Sequence, residues 1–469
     1  MTGHETSSSA SFQKYAVWVV FGLVLLNHGW TCTFGFVNDD FQWVEQAAAS
    51  VDGYGQPGLH VVFFLRPVVE FFFLLNYLVA GSRPLFYHVF NLAFEALNTW
   101  LVWRLALLVA GDAIVAFLTA MFFTVHPSHP GAVAWVCGRA ELISTACYLS
   151  ALLQHHKRRS LVAAALFAVG AFARESAVSF PVAALWLDLM LETPPRPRWR
   201  ALGLYGLVLG LYALARSQWT STFAWQYSGL SLMLHGDWRG LAQVAATQLS
   251  AAAAALLEPV QLSGTWAALV LVLLLLLMLW RNPHRRAVGF AAGWICIALL
   301  PFAGWAIFQP RYAYLPGVGL ALLLALSVRR LTSGSSWGWR WVAAILLAAA
   351  WSIASDVRMQ RRNEQWRRNG VMSERVIGAV VDAAPHPQPR SIFIVDGIGP
   401  LRLGRDEWAH TPVLLYGFGE ALRLRYADHG LDVWFGGAPL PVDRPIVRLR
   451  WDGLSMQVLT AEDLEGGGA

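Results

Sequence analysis

Long apolar runs alternate with short polar segments along most of this chain. The first run extends over residues 15–34, and others recur up to about residue 355. Several approach the roughly 20 residues that cross a bilayer as a helix. With 56% hydrophobic residues, 14% charged residues and a mean hydropathy of +0.47, the chain is far more apolar than a soluble domain. We therefore predict an all-α polytopic membrane protein.

The basic residues lie in short clusters between the apolar runs. The clusters are 155–159, 196–200, 281–286 and 329–340. The positive-inside rule places such clusters on the cytoplasmic side, which explains the net charge of +6 without a nucleic-acid partner. Arginine greatly outnumbers lysine, a bias typical of a GC-rich genome, so we expect a bacterial cell inner membrane.

Cytoplasmic clusters require a fixed odd or even number of membrane crossings between them. Two apolar runs do not fit that number. The run 61–80 is interrupted by Arg66, Glu70 and Asn76, which a helix in the membrane interface tolerates better than a span does. The alanine-rich run 241–257 is predicted to be re-entrant or to lie on the surface. About eleven spans then remain, with outer-surface helices between some of them and the C-terminus outside.

The composition becomes polar and proline-rich after Asp356. We predict a transmembrane domain over 1–355, a helix and linker over 356–390, and a small periplasmic domain over 391–469. In that domain, 392–395 is typical of a buried strand. Residues 446–451, the dipeptide Asp452-Gly453 and 454–459 predict a β-hairpin with a two-residue turn.

Two adjacent carboxylates, Asp39 and Asp40, follow the first apolar run. Carboxylates beside hydrocarbon lose hydration and are costly unless they serve a site. A close pair has its proton affinities pushed apart, which suits a general base. Alternatively, the pair simply ends a helix at the interface.

The second span carries four polar residues on one helical face. His88, Asn91, Glu95 and Asn98 are spaced by three, four and three residues, so they share a face that must look into the bundle. That face either lines a cavity or forms hydrogen bonds between helices.

A histidine-containing loop follows the third span, with His126 and His129 ahead of Arg139 and Glu141. Two histidines and an acid are zinc ligands, but prolines prevent a regular helix between the histidines and the spacing has no strong signature. We therefore predict no cofactor, and a divalent metal stays open as an alternative that the sequence does not indicate. Nor do the four scattered cysteines indicate a zinc site or a disulfide framework.

Arginines mark two further outer turns. Arg174 and Glu175 are neighbours, for which an ion pair is the simplest expectation. Arg311 precedes Tyr312 at an outer helix end, where a permanently charged guanidinium suits a lipid phosphate or snorkels to the interface. Gathered on one side of the membrane, these groups favour transfer from a phosphate-bearing lipid over transport.

The order of these motifs resembles that of the C-type membrane glycosyltransferases, closest to the transmembrane and tetratricopeptide-repeat O-mannosyltransferase group and its bacterial relatives. The resemblance covers about residues 15–375 and rests on the segments 36–40, 66–67, 86–91, 126–141, 174–175 and 311–316. It implies a sugar donor on polyprenyl phosphate. Asp39 or Asp40 would be the base, Glu141 a second acid and Arg311 a phosphate contact.

The remaining candidates follow from the polar residues gathered on the outer side. Donor or phosphate binding includes Tyr312, Arg66, Arg139 and Arg174, and the substrate cavity includes His88, Asn91, Glu95, His126, His129 and Glu175. The chain departs from the family pattern at Glu95, where a histidine is usual, and at Arg174, where a lysine is common.

Three functions stay open at this point. They are a glycosyltransferase acting at the outer face, a polysaccharide polymerase or lipid-linked ligase, and a carrier or flippase of lipid-linked glycan. No tetratricopeptide repeats follow the last span, so the acceptor is not indicated by the eukaryotic group. The sequence does not indicate the sugar either. The C-terminal domain either shapes acceptor access or is a structural lid.

Overall fold

Helices make up most of the molecule. The computed structural model describes residues 18–53, 65–191, 197–219, 232, 235–279, 284–305, 307–333, 338–396, 417–434, 443–452 and 455–459. The helices up to the tenth are α1 (18–28), α2 (Asp40–Asp52), α3 (Pro67–Ala80), α4 (Pro84–Ala110), α5 (Ala113–Thr124), α6 (Pro130–Val133), α7 (Arg139–His156), α8 (Ser160–Ala173), α9 (Phe180–Leu191) and α10 (Trp199–Trp219). The later helices are α11 (Trp238–Leu256), α12 (Gly264–Leu279), α13 (Arg285–Leu299), α14 (Tyr314–Thr332), α15 (Trp339–Ala383) and α16 (Phe418–Tyr426).

Several of these helices suit a bilayer. Within the described part of the chain, five helical stretches are long and apolar enough to cross a membrane: Pro84–Ala110, Val136–His156, Arg285–Phe302, Pro310–Thr332 and Trp339–Ala383. Shorter apolar helices are α3, α5, α8 and α12. The prediction of a helical multi-pass membrane protein is confirmed. The runs predicted to lie in the interface form α3 and α11.

Small residues let the central helices of the bundle approach closely. A Cβ added at Gly319 of α14 would lie 2.7 Å from the carbonyl oxygen of Ala291 on α13. On α5, Ala116 and Ala120 are fully buried against neighbouring helices. Close backbone approach through glycine and alanine is the usual way in which membrane helices pack, because lipid supplies no hydrophobic force between them.

The long helix α15 links the bundle to the C-terminal domain. Its 45 residues extend about 68 Å and pass without a break through the predicted boundary near residue 356. The first part exposes apolar side chains such as Val342 and Leu346, as lipid contact requires. The last part buries Val376, Ile377 and Val380 in a second hydrophobic core.

The C-terminal domain contains a mixed sheet of four strands, β1 (Ile392–Asp396), β2 (Asp432–Trp434), β3 (Ile446–Trp451) and β4 (Met456–Val458), in the order β2-β1-β3-β4. Strand β1 is parallel to β2 and β3, and β4 is antiparallel to β3. The predicted buried strand and the predicted hairpin pairing are confirmed. The two-residue turn was wrong, because Trp451 pairs with Met456 and four residues connect the strands. Asp452 accepts the backbone N–H of Ser455 at 2.7 Å in that connection.

The C-terminal domain packs directly on the chain around the paired aspartates. Phe36 and Phe41 share a hydrophobic core with Phe418 of α16 and with α15. Gly417, just before α16, has a φ of +92°, and a Cβ there would lie 2.4 Å from the carbonyl oxygen of Asn38. Only glycine combines that backbone conformation with so close an approach.

Candidate functional site

Asp39 and Asp40 lie at the N-terminus of α2. Asn38, immediately before them, has a left-handed φ of 49°, which asparagine tolerates better than most residues. Its side-chain amide donates to Oδ1 of Asp39 at 2.7 Å. The turn therefore gives the two carboxylates different surroundings.

The side chain of Asp40 links two segments of backbone by hydrogen bonds. It is fully buried, and its two oxygens accept the N–H groups of Val37 at 3.0 Å and of Cys137 at 2.8 Å. Burial raises the pKa of Asp40 to about 7, although both hydrogen bonds oppose this rise. Because both oxygens are occupied by backbone groups, Asp40 is poorly placed to take a proton from a substrate.

Asp39 is half-buried and lies beside positive charge. Burial raises the pKa of its carboxyl, and the charges of Arg311 and Arg66 act in the opposite direction. An aspartate with a raised pKa, partly open to solvent and next to two arginines, has the surroundings expected of a general base. The structure thus separates the pair into a structural and an accessible carboxylate.

Glu175 joins two arginines that are far apart in sequence. Nη2 of Arg66 lies 3.0 Å from Oε2, and Nη1 of Arg216 lies 2.8 Å from Oε1. Burial alone would raise the pKa of Glu175, but the charges of Arg66, Arg216 and Arg174 outweigh it and hold the pKa well below its ordinary value. Glu175 therefore stays ionised.

Arg174 does not make the ion pair expected with its neighbour. Its Nε lies 2.7 Å from Oε2 of Glu141 at the start of α7, whereas Glu175 binds Arg66 and Arg216. The extended conformation of Arg174, with φ −162° and ψ 147°, separates the two neighbouring side chains. Glu141 is fully buried in this pair.

Arg311 contacts aromatic rings. Its Cζ lies 4.7 Å from the ring centre of Trp135 and 5.3 Å from that of Tyr312. Arg174 lies over the same Tyr312 ring at 5.1 Å. Among the residues that the structure describes, no carboxylate lies within ion-pair distance of Arg311, and its Nε has no hydrogen-bond partner.

These side chains make a positively charged cluster, which we call the arginine cluster. Its cations are Arg66, Arg174, Arg216 and Arg311, and its buried anions are Glu141 and Glu175. These four arginines carry two more charges than the two glutamates, and the charges of Arg311 and Arg66 act on Asp39 at the edge. Such a set of guanidinium groups favours a ligand that carries phosphate, because planar donors match its oxygens.

The polar face of α4 is buried, as its spacing predicts. All four side chains are fully inaccessible, but two of them bind backbone. Asn91 donates to the carbonyl oxygens of Val133, Trp135 and Val136, while Asn98 donates to that of Leu142. Asn91 thus ties α4 to the loop before α7, and Asn98 ties it to α7 itself. For these two residues, the alternative of hydrogen bonds between helices holds. His88 packs edge-on against Phe34.

The remaining predicted residues lie outside the arginine cluster. Arg139 is fully buried, with Nη1 donating to Asn76 at 2.7 Å and Nη2 to the Tyr87 carbonyl oxygen at 3.2 Å. Both ring nitrogens of His126 have partners in Ser128 and Leu256. The zinc trio of His126, His129 and Glu141 is not brought together, since Glu141 pairs with Arg174.

Sequence reasoning missed Arg216 and Trp366. Arg216 ends an apolar helix, where a charged residue is a signal in its own right. Trp366 of α15 stacks on Trp135 with the ring planes 9° apart. No local pattern in the sequence indicates that contact.

No protein-family model matches the chain. Over 92 residues it is 39% identical to the protein O-mannosyl-transferase Tmtc1 of Drosophila melanogaster, a stretch covering 20% of this chain and 11% of that protein. Over 94 residues it is 36% identical to the protein O-mannosyl-transferase TMTC3 of Mus musculus, covering 20% and 10%. The chain therefore spans about a tenth of the length of these curated relatives.

A solved structure extends the comparison to the whole fold. ArnT from Cupriavidus metallidurans bound to undecaprenyl phosphate aligns with a TM-score of 0.54 at 13% identity, over 95% of this chain and 93% of ArnT. The chain has the fold of ArnT. The resemblance predicted from the motifs is confirmed.

Proposed function

We propose that this protein is an inverting glycosyltransferase that takes a monosaccharide from a polyprenyl-phosphate donor. The observation that carries the proposal is Arg311, a half-buried arginine between two aromatic rings, whose Nε is shielded from solvent and which has no carboxylate at ion-pair distance in the described residues. A partly desolvated cation without an anion is costly, and a donor phosphate would supply the anion. Undecaprenyl phosphate is named as the ligand of ArnT, whose fold this chain shares.

The arginine cluster provides a mechanism for the leaving group. Arg311 and Arg174 would bind the phosphate oxygens and offset the charge that develops as the bond from sugar C1 to phosphate oxygen breaks. Glu141 and Glu175 hold Arg174 and Arg66 in fixed positions. The arginines are therefore preorganised, and little reorganisation is needed at the moment of reaction.

Asp39 is the proposed base. It would take the proton of an acceptor hydroxyl as the hydroxyl oxygen attacks C1, while the donor leaves as polyprenyl phosphate. Its half-buried position next to Arg311 and Arg66 suits this role better than that of Asp40, whose oxygens are both bonded to backbone. Mannose is the first sugar to test, because the curated relatives are named O-mannosyl-transferases.

The finer topology belongs to the same proposal. About eleven spans would place the arginine cluster at the outer face of a bacterial inner membrane, with the C-terminal domain in the periplasm. That domain covers the Asp39 segment, so we infer that it shapes acceptor access. A polymerase or lipid-linked ligase would use the same donor chemistry. A carrier would need polar groups through the whole membrane depth.

The test is binding of undecaprenyl phosphate to the purified protein in detergent. Arg311→Ala should weaken binding at least tenfold, and Arg311→Lys should restore part of it, since lysine offers a point charge instead of a planar fork. Arg104→Ala is the matched control, because Arg104 also lies over a tryptophan, Trp100, at 5.4 Å. Equal affinity in the wild type and Arg311→Ala would contradict the proposal.

A further inference from the structure

A second group of ionisable side chains lies in the bundle. His28 ends α1, Glu95 is on α4, and His129 immediately precedes α6. His28 and Glu95 are fully buried and His129 is 1% exposed. Each offers one nitrogen or oxygen, and these atoms lie within 4.8 Å of one another. None of the three is a member of the arginine cluster.

Hydrogen bonds fix the tautomer of His28. Its Nε2 is 3.0 Å from the carbonyl oxygen of Thr124, which can only accept, so Nε2 carries the hydrogen and Nδ1 carries a lone pair. In the described part of the chain, Nδ1 has no hydrogen-bond partner. A buried imidazole nitrogen of this kind is costly unless it is satisfied.

His129 faces Glu95 through Nδ1, which is 2.9 Å from Oε1. Nε2 of His129 has no partner among the described residues and is free to carry the ring hydrogen when Nδ1 binds a metal. The hydroxyl of Tyr314 donates to the other oxygen of Glu95 and orients the carboxylate. Two ring nitrogens and one carboxylate therefore meet in a space closed to solvent.

We propose that His28, Glu95 and His129 bind a divalent transition-metal ion of the zinc type. Two imidazoles and a carboxylate suit zinc, whereas magnesium and calcium prefer sets made of oxygen alone. The bond from His28 to the Thr124 carbonyl oxygen is the outer contact that orients a histidine ligand. Tetrahedral zinc ligands stand about 3.4 Å apart. Nδ1 of His129 and Oε1 of Glu95 are already 2.9 Å apart, and the ligand nitrogen of His28 lies within 4.8 Å of both, so the main movement would be the approach of His28.

The ion would join three separate parts of the chain. It would tie α1 and α4 to the loop that carries Trp135, and through that loop it would support the ring beneath Arg311. This is a structural role, and it does not depend on the reaction proposed above.

The experiment uses the full-length protein in detergent, stripped with EDTA and then dialysed against zinc. Bound zinc is measured by mass spectrometry. The wild type should retain about one equivalent, and His28→Gln and His129→Gln should bind at least tenfold more weakly. His126→Gln is the matched control and should bind as the wild type does, because both ring nitrogens of His126 already have partners.

Zinc should also raise the melting temperature of the wild type but not that of His28→Gln. Stoichiometric zinc in His28→Gln at wild-type affinity, or none in the wild type, would overturn the proposal. If the variants fail to fold in EDTA, cobalt substitution of the wild type decides. An intense visible spectrum of four-coordinate cobalt supports the site, and a weak six-coordinate spectrum or no binding refutes it.

Discussion

Trp366 stacks on Trp135 with ring centroids 5.6 Å apart, and Trp135 in turn lies beneath the guanidinium of Arg311. The long helix α15 thus supports the arginine cluster from outside the bundle. Trp366→Ala should raise the KM for the lipid donor about threefold to tenfold, because an aromatic pair contributes about 1 kcal/mol. Trp366→Phe should keep the KM for the lipid donor close to the wild-type value, because phenylalanine still presents a ring to Trp135. Unchanged KM in Trp366→Ala would show that the stack does not position Arg311.

Substitution of Glu175 should affect stability but not phosphate binding. Glu175→Gln leaves Arg66 and Arg216 without their buried partner, and we expect about 3 kcal/mol of lost stability. The same change makes the cluster more positive, so affinity for undecaprenyl phosphate should not fall in the protein that remains folded. Glu364→Gln is the control: Glu364 pairs with Arg367 and Arg368 on the exposed side of α15 and should cost less than about 0.5 kcal/mol. Chemical denaturation and donor binding measure the two effects.

Gly417 couples the C-terminal domain to the Asp39 segment. Gly417→Ala should destabilise the protein and slow sugar transfer at least tenfold, because its Cβ would displace the carbonyl of Asn38. Gly111→Ala provides the comparison, since Gly111 also has a positive φ, of 64°, but nothing within 4 Å of an added Cβ. It should cost about 1 kcal/mol and leave the transfer rate unchanged. Equal transfer rates in the two variants would mean that the contact is only structural.

Asp40 makes stability depend on pH. Its pKa is about 7 in the folded protein and about 4 in an unfolded chain, so the folded state binds more protons between these values. Stability should therefore fall as the pH rises from about 4 to 7. Asp40→Asn removes this titration, although it leaves a backbone N–H poorly paired. Melting temperatures of both proteins at several pH values measure the difference. Parallel pH profiles would contradict the raised pKa.

Much of the fold follows from local pattern. The spacing of His88, Asn91, Glu95 and Asn98 predicts a buried face. A continuous apolar run predicts the strand at 392–395, and alternation predicts the strand at 446–451. All three are found because burial and hydrogen bonding are decided over a few residues. The family order of motifs also predicts one site for the pair Asp39 and Asp40 together with Arg311, and leaves open which aspartate is the base.

The rest depends on contacts that the sequence does not contain. Arg174 prefers Glu141 to its neighbour because its backbone is extended, and Glu175 finds Arg216 on another helix. The hairpin connection is longer than predicted because Asp452 makes a local hydrogen bond with Ser455. The distinction between Asp39 and Asp40 likewise comes from Cys137, nearly a hundred residues away.

The central claim is that Asp39 is the base of a sugar transfer whose phosphate is held by the arginine cluster. The direct measurement is the initial rate at which labelled mannose leaves polyprenyl phosphate for acceptors in membranes containing the wild type, Asp39→Asn or Asp40→Asn. Asp39→Asn should lower the rate on the order of 10² to 10⁴-fold while donor binding persists. Asp40→Asn should lower the transfer rate per folded molecule less than Asp39→Asn does. Wild-type transfer by folded Asp39→Asn would contradict the claim.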